Sequence, residues 1–173
     1  MDKGYIHLYT GDGKGKTTAA LGLALRAAGH DRKIFIGQFM KGQYYGELTA
    51  LKSIQGINIE QFGDEGCLHK DQMTEAHRMH AGQGLDRILE VMAMDFYDMV
   101  IMDEICVTVW FELLTTQAVL EVIQKKPLSL ELVLTGRRAP KEFIEAADLV
   151  TEMKEVKHYY NTFGILARDG IER

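Results

Sequence analysis

One stretch of this 173-residue sequence limits its fold more than any other: Gly11-Asp12-Gly13-Lys14-Gly15-Lys16-Thr17-Thr18. It follows an apolar segment of strand length at Tyr5–Tyr9, and a helical pattern over Lys16–Ala28 begins inside it. Three alternating glycines allow a tight turn whose backbone N–H groups point inward. A strand, a glycine-rich loop and a helix in this order are typical of an α/β domain with a parallel sheet.

The chemistry of this loop favours a phosphate-binding site of the P-loop type. Its N–H groups and the positive end of the following helix dipole attract anions. In such a loop, Lys16 contacts the terminal phosphates and the Thr17 hydroxyl is a ligand of Mg²⁺, which prefers oxygen donors. We therefore predict that Gly11–Thr18 bind a nucleotide, although the usual pattern has glycine where Thr10 stands. The alternative is a flexible glycine turn with two solvated lysines.

Apolar runs and helical patterns alternate along the rest of the chain. The predicted strands are 5–9, 34–39, 57–62, 99–102, 130–134 and 148–153. The predicted helices are 16–28, 47–54, 71–94, 116–125 and 141–147. We expect Gly29 to end the first helix in the left-handed conformation. The pattern predicts one α/β domain over residues 1–173, with a mainly parallel sheet covered by helices on both faces.

Two acids, Asp103 and Glu104, directly follow the apolar run Met99–Met102. P-loop enzymes place an acid at this point because Mg²⁺ needs a second anionic or water-linked ligand opposite the threonine. We predict that Glu104 or Asp103 helps to bind Mg²⁺. The alternative is that acids end this strand simply because the chain reaches the surface there.

A basic pair, Arg137 and Arg138, follows the strand predicted at Leu130–Leu134. The carboxyl ends of parallel strands meet at one edge of the sheet, where ligands of α/β proteins bind. An arginine at this edge can neutralise a triphosphate group. A solvated basic turn is an equally weighted alternative.

The composition argues against several other classes of function. With 25 acidic and 20 basic residues, a formal charge of −5 and no basic cluster, the chain is not expected to bind nucleic acid. Its two cysteines, Cys67 and Cys106, are far apart, which favours the reducing cytoplasm over a disulfide framework or thiolate zinc site. No export signal or membrane span is visible. For His77 and His80, an exposed polar helix face is favoured over a metal site.

Six motifs occur in a distinctive order along nearly the whole chain. They read TGDGKGKTTAALGLALRAAGH, IGQFMKG, MDEI, LVLTGRRAP, EAADLVTEMKEVKH and GIE. In this order they resemble the P-loop ATP:corrinoid adenosyltransferases, which include cob(I)yrinic acid a,c-diamide and cob(I)alamin adenosyltransferases. The resemblance implies a RecA-like P-loop fold. It also implies transfer of the 5′-deoxyadenosyl group of ATP to the Co(I) of a reduced corrinoid, with release of triphosphate, in adenosylcobalamin biosynthesis or salvage.

The resemblance also implies roles for the predicted site. Co(I) is itself the nucleophile, so the protein needs no nucleophilic side chain and little general-base catalysis. Lys16, Thr17 and Glu104 are then the catalytic residues, Thr17 with Glu104 or Asp103 holds Mg²⁺, and Arg137 assists with the triphosphate. The implied partners are ATP, a reduced corrinoid, an electron donor such as a flavoprotein, and a second copy of the chain in a homodimer. The alternatives are a P-loop ATPase or small-molecule kinase, and a non-catalytic homologue that binds nucleotide or corrinoid.

The sequence departs from the family pattern at one place after the third predicted strand. Many members carry Gly-Phe-x-Trp there, and its aromatics help to displace the lower axial ligand of cobalamin before reduction. This chain has Gly66-Cys67-Leu68-His69. The departure predicts either a changed route to reduced cobalt or a different corrinoid substrate.

Overall fold

A computed structural model describes residues 2–64 and 70–173. Its centre is a six-stranded sheet in the order β3-β2-β4-β5-β1-β6, and every pair of neighbouring strands is parallel. The strands are β1 (Ile6–Thr10), β2 (Ile34–Phe39), β3 (Ile57–Phe62), β4 (Met99–Asp103), β5 (Glu131–Thr135) and β6 (Leu149–Glu152). The predicted parallel α/β sheet is therefore confirmed.

Helices connect the strands in the described parts of the chain. They are α1 (Lys16–Ala28), α2 (Gly46–Lys52), α3 (Glu75–Ala93), α4 (Ile105–Trp110), α5 (Thr116–Gln124), α6 (Lys141–Ala146) and α7 (Tyr159–Phe163), with a 3₁₀ turn at Lys70–Gln72. None of the helices in the described residues is both long enough and apolar enough to cross a membrane.

Both faces of the sheet are covered, because neighbouring residues of a strand point to opposite sides. On one face, Ile34 and Ile101 pack with the small α1 residues Ala20 and Ala24. On the other face, a larger cluster joins the strands to α3, α4, α5 and α6; it includes Leu8, Phe35, Val100, Leu132, Ile88, Ile105, Val122 and Phe143. Each of the larger apolar side chains stabilises the fold by about 1.5–3 kcal/mol when fully buried.

Most of the predicted elements form with bounds shifted by one to four residues, but three details differ. The short helices α4 and α7 were not predicted. Helix α3 begins at Glu75 rather than residue 71, because Thr74 and His77 form a capping box at its start. The expected left-handed conformation of Gly29 is wrong: its φ is −64°, and Asp31 takes the positive φ of 58° instead.

Strand β6 also differs from the expectation of a buried strand. All four of its residues are exposed, because it lies at the edge of the sheet and pairs only with β1. Its position still matters for the site, since it leads the chain to Met153, directly beside the glycine-rich loop.

Candidate active site

The glycine-rich loop lies at the carboxyl edge of the sheet, between the end of β1 and the start of α1. Gly11 and Gly15 have φ values of 95° and 113°, which glycine adopts without strain. The Gly13 N–H donates to the Met153 carbonyl at 2.7 Å, and the Met153 N–H donates to the Thr10 carbonyl at 2.8 Å. A Cβ on Gly13 would lie 2.6 Å from the same Met153 oxygen. The loop is thus tied to the chain that follows β6.

Thr10, which replaces the first glycine of the usual pattern, has a structural role. It is buried, and its hydroxyl donates to the Gly136 carbonyl at 2.9 Å. Because Gly136 precedes the predicted basic pair, this hydrogen bond joins the start of the phosphate loop to the loop after β5. A glycine at position 10 would lack the hydroxyl that makes the connection.

Lys16 lies inside the loop, where its side chain is enclosed. The residue is only 5% exposed, and its Nζ donates to the Gly13 carbonyl at 2.6 Å. Burial is the main reason why the pKa of Lys16 is lowered, and Arg137 lowers it further, while Glu104 acts in the opposite sense. The predicted phosphate-binding lysine is therefore directed into the cradle and surrounded by the other predicted site residues.

Thr17 and Asp103, both predicted to lie at a magnesium site, are joined directly by a hydrogen bond. The Thr17 hydroxyl donates to Asp103 Oδ1 at 2.8 Å, and the Thr135 hydroxyl donates to the same oxygen at 2.7 Å. Asp103 is 1% exposed. The ends of α1, β4 and β5 are therefore connected through one buried carboxylate oxygen.

Glu104 follows in a strained conformation, with a φ of 61° at the first position before α4. Its N–H donates to the Thr135 hydroxyl at 2.9 Å, which holds the turn in place. The half-buried Glu104 carboxylate accepts no hydrogen bond from the described part of the chain. Burial, followed by the charge of Asp103, raises its pKa. Among the described residues, the Glu104 carboxylate is thus left without a hydrogen-bond donor while it interacts with the charge of Lys16.

The two arginines reach the phosphate loop as well. Arg137 is exposed, and its Nε donates to the Asp12 carbonyl at 3.3 Å. Arg138 Nε lies 3.9 Å from the Asp12 carboxylate. The predicted meeting of the loops after β1 and β5 at one edge of the sheet is confirmed, and it places two positive charges beside Asp12 of the glycine-rich loop.

Lys14 and Thr18 complete the predicted loop residues, and both are exposed. Lys14 Nζ lies 2.6 Å from the Glu172 carboxylate and donates to the Ile171 carbonyl at 3.1 Å. It also donates to the Tyr159 hydroxyl at 3.2 Å. A carboxyl-terminal segment therefore folds back over the phosphate loop, a contact that was not predicted from the sequence.

Sequence reasoning also missed two polar residues of β2 and the loop after it. Lys41 Nζ lies 2.9 Å from Asp103 Oδ2, and the Gln38 amide donates to the same oxygen at 3.4 Å. The signal was visible in the sequence, because Gln38 interrupts an otherwise apolar strand and Lys41 follows three residues later.

The histidine pair lies apart from these residues, after β3. His77 Nε2 and His80 Nδ1 approach the carboxylate of Asp64 at 3.4 and 3.1 Å. Within residues 2–64 and 70–173 no three His, Cys, Asp or Glu side chains are grouped so that they could hold a metal by themselves. Cys67 and His69, where the sequence departs from the family pattern, lie outside the described residues.

The sheet and the loop together define the class of this chain. A solved KaiC-like protein from Pyrococcus horikoshii superposes with a TM-score of 0.59 and 15% identity, over 90% of this chain and 75% of the other. A likeness at this identity concerns the fold, which is the RecA-like fold of P-loop proteins. With the glycine loop and Lys16 in place, the chain is a P-loop protein.

Sequence comparisons then identify its family. The family described as ATP:corrinoid adenosyltransferase BtuR/CobO/CobP matches residues 2–173. A corrinoid adenosyltransferase of Escherichia coli strain K12 is 31% identical over 99% of this chain and 86% of its own length. A corrinoid adenosyltransferase of Pseudomonas aeruginosa is 32% identical over 99% of this chain and 84% of its own length. The chain belongs to the ATP:corrinoid adenosyltransferase family.

Proposed function

We propose that this chain transfers the 5′-deoxyadenosyl group of ATP to the Co(I) of a reduced corrinoid and releases inorganic triphosphate. The observation that carries the proposal is the family match over residues 2–173. In this reaction the cobalt electron pair attacks C5′ and a carbon–cobalt bond forms. The bond between C5′ and its oxygen breaks, and triphosphate leaves with that electron pair. No proton has to move in this step.

The site meets the demands of this chemistry through orientation and positive charge. Since the corrinoid supplies the nucleophile, the side chains need only fix C5′ and stabilise the charge that develops on the triphosphate. We assign the phosphate contacts to the N–H groups of Gly11–Thr18, to Lys16 and to Arg137. Support comes from the burial of Lys16 in the cradle and from the approach of Arg137 to Asp12.

We assign a Mg²⁺ site to Thr17 and Glu104, with Asp103 beside them. The donor set fits this ion, because it consists of a hydroxyl and carboxylate oxygens next to a phosphate loop. Mg²⁺ usually takes only one or two protein carboxylates together with substrate phosphates. When bound, it would supply positive charge against the leaving triphosphate. In this assignment Thr17 and Glu104 bind the ion, and Asp103 orients the Thr17 hydroxyl through its 2.8 Å hydrogen bond.

Further parts of the proposal concern the setting in which the enzyme works. We propose that residues 1–173 act as one catalytic domain, which the single six-stranded sheet supports. The reaction needs an electron donor, such as a flavoprotein, that makes Co(I). A homodimer follows from the family resemblance alone. A cytoplasmic location follows from that resemblance and from the unpaired, buried Cys106.

The test is adenosyl transfer with chemically reduced corrinoids. Purified protein is mixed with ATP, Mg²⁺ and reduced cobalamin, cobinamide or cobyrinic acid diamide, and the alkylated product is followed by its absorbance. We expect at least one of the three corrinoids to be adenosylated, with one triphosphate released for each adenosyl group transferred. Absence of adenosylated product with all three would refute the proposal.

Product analysis separates this activity from the alternatives. A P-loop ATPase or kinase breaks the bond at the γ-phosphorus and leaves ADP, whereas attack at C5′ leaves triphosphate. A non-catalytic homologue would bind ATP and corrinoid without turnover. The family match favours adenosyl transfer over both alternatives.

A further inference from the structure

The segment Gln38–Gly42 carries the motif QFMKG, which has no general meaning in P-loop proteins. The structure explains its spacing. Gln38 is fully buried at the end of β2 and receives a hydrogen bond from the Gln61 amide at 3.1 Å. Met40 then takes a positive φ of 60°. A Cβ on Gly42 would lie 2.3 Å from the Gly63 carbonyl, so only glycine fits there. This tight turn brings Lys41 back towards β4.

At the end of β4, Lys41 contacts Oδ2 of Asp103, the carboxylate oxygen that does not accept from Thr17. Oδ1 of Asp103 accepts from Thr17 and Thr135, while Oδ2 lies 2.9 Å from Lys41 Nζ and 3.4 Å from the Gln38 amide. Both oxygens of this buried carboxylate therefore have partners within the chain. Glu104, by contrast, has a carboxylate that accepts no hydrogen bond from the described residues.

Lys41 is unlike the lysines of a protein surface. Its side chain is 12% exposed, lies 4.8 Å from the centre of the Tyr45 ring, and has Glu47 Oε1 at 3.5 Å. Two carboxylates, those of Asp103 and Glu47, therefore face this enclosed ammonium.

We propose that Lys41 is the fixed counter-cation of Asp103, so that Asp103 positions the Thr17 hydroxyl and a divalent ion binds through Thr17 and Glu104 alone. This inference rests on the Mg²⁺ site of the proposed function. A divalent cation at Asp103 Oδ2 would lie next to the Lys41 ammonium, and like charges at such distances repel strongly in a buried site. Lys41 thus acts through Asp103 as a positioning residue, and it decides which of the two adjacent acids is free for the ion.

The test measures binding of Mn²⁺, used in place of Mg²⁺, by electron paramagnetic resonance without nucleotide or corrinoid. The key variant is Lys41→Met, which keeps the length of the side chain as far as Cε but removes the charged Nζ. We expect Lys41→Met to bind Mn²⁺ at least about 10-fold more tightly than the unaltered chain, because two neighbouring carboxylates become available. Lys41→Arg should bind as the unaltered chain does. So should Lys141→Met, which removes an exposed lysine paired only with Glu145 on the surface of α6.

Equal Mn²⁺ affinity in Lys41→Met and the unaltered chain would overturn the inference. Loss of the lysine can also prevent folding, because it leaves Asp103 buried without a counter-charge. The double variant Lys41→Met with Asp103→Asn removes both charges, so we expect it to fold and to bind Mn²⁺ like the unaltered chain. A double variant that fails to fold, or that binds Mn²⁺ tightly, would equally contradict the role assigned to Lys41. Because no corrinoid is used, these outcomes are independent of whether the chain transfers an adenosyl group.

Discussion

The Glu172 carboxylate lies 2.6 Å from Lys14 Nζ, and this ion pair joins the carboxyl-terminal segment to the phosphate loop. The Tyr159 hydroxyl contacts both partners. Lys14 lowers the pKa of Glu172 through their hydrogen bond, so the carboxylate is charged at neutral pH and the contact is lost only under acidic conditions. In the proposed site, the Glu172 carboxylate therefore competes with a phosphate of ATP for the Lys14 ammonium.

From this competition we predict that Glu172→Gln binds ATP several-fold more tightly than the unaltered chain. The substitution removes the negative charge that competes for Lys14 but keeps the size of the side chain. Isothermal titration with ATP and Mg²⁺, without corrinoid, measures the dissociation constant. Glu145→Gln is the matched control, because it removes an exposed partner of Lys141, far from the loop. Weaker ATP binding by Glu172→Gln would mean that the carboxylate orients Lys14 for the phosphate instead.

The Lys16→Ala variant tests the assignment of the phosphate cradle. We expect it to lose adenosyl transfer by on the order of 100-fold or more, because it removes a preorganised positive charge from the leaving triphosphate. Triphosphate release and corrinoid absorbance measure the loss, and circular dichroism checks the fold. Lys33→Ala, outside the loop, should retain activity. If Lys16→Ala releases triphosphate at an unchanged rate, Lys16 does not have the role proposed for it.

Glu104→Gln should stabilise the chain while it abolishes activity. Burial and the neighbouring Asp103 disfavour the charged form of Glu104 in the folded state, and glutamine has no charge to bury. In metal-free buffer without nucleotide at neutral pH, we expect the melting temperature to rise by roughly 2–4 °C, the shift that about 1 kcal/mol produces in a chain of this size. Differential scanning calorimetry measures this change.

The raised pKa of Glu104 also determines how the stability gain of Glu104→Gln varies with pH. An acid whose pKa is higher in the folded than in the unfolded chain binds more protons when folded, so the free energy of unfolding falls as pH rises between the two values. In the Glu104→Gln variant, the free energy of unfolding does not fall in this way as pH rises. Its advantage should be full above the raised pKa and should disappear below the ordinary pKa of glutamate. Glu121→Gln, on the exposed side of α5, should show no such trend.

Lys126 offers a test of stability away from the site. Its Nζ donates to three carbonyls, those of Gly4, Pro127 and Leu130, at 3.0, 3.0 and 2.8 Å. Lys126→Met should lower the free energy of unfolding by about 2 kcal/mol, since three carbonyls lose a charged donor. Urea denaturation gives this value, with the exposed neighbour Lys125→Met as the control. A loss no larger than that of the control would show that water replaces the ammonium at little cost.

Much of the fold could be predicted because the local signals agree with the tertiary structure. The strands β2 and β3 and the helix α1 have the predicted bounds, since the apolar pattern is clear in all three and glycines flank β3 and α1. Helix α4 was missed because its six residues are rich in β-branched side chains, which favour strands, and because it lacks the proline that marks the start of the equally short α6. The exposure of β6 depends on its place in the strand order, which sequence alone does not give.

The candidate site was predictable only in part, for a related reason. Lys16, Thr17 and Asp103 belong to a pattern whose geometry is common to P-loops, and the structure brings them together. The contacts of Lys41 and Glu172 join segments that are distant in sequence. Gln38 and Lys41 stand out in the sequence, but the partners of Lys41 and Glu172 depend on the packing of loops, which neither periodicity nor spacing predicts.

The hydrogen bond from Lys16 to the Gly13 carbonyl has a consequence for turnover. In the proposed site, phosphate binding exchanges the Gly13 carbonyl for a phosphate oxygen as the acceptor of the Lys16 ammonium. In the proposed reaction, product release reverses this exchange, and the Gly13 carbonyl becomes the acceptor again. The exchange lowers the cost of releasing triphosphate, a product that keeps every phosphate of ATP.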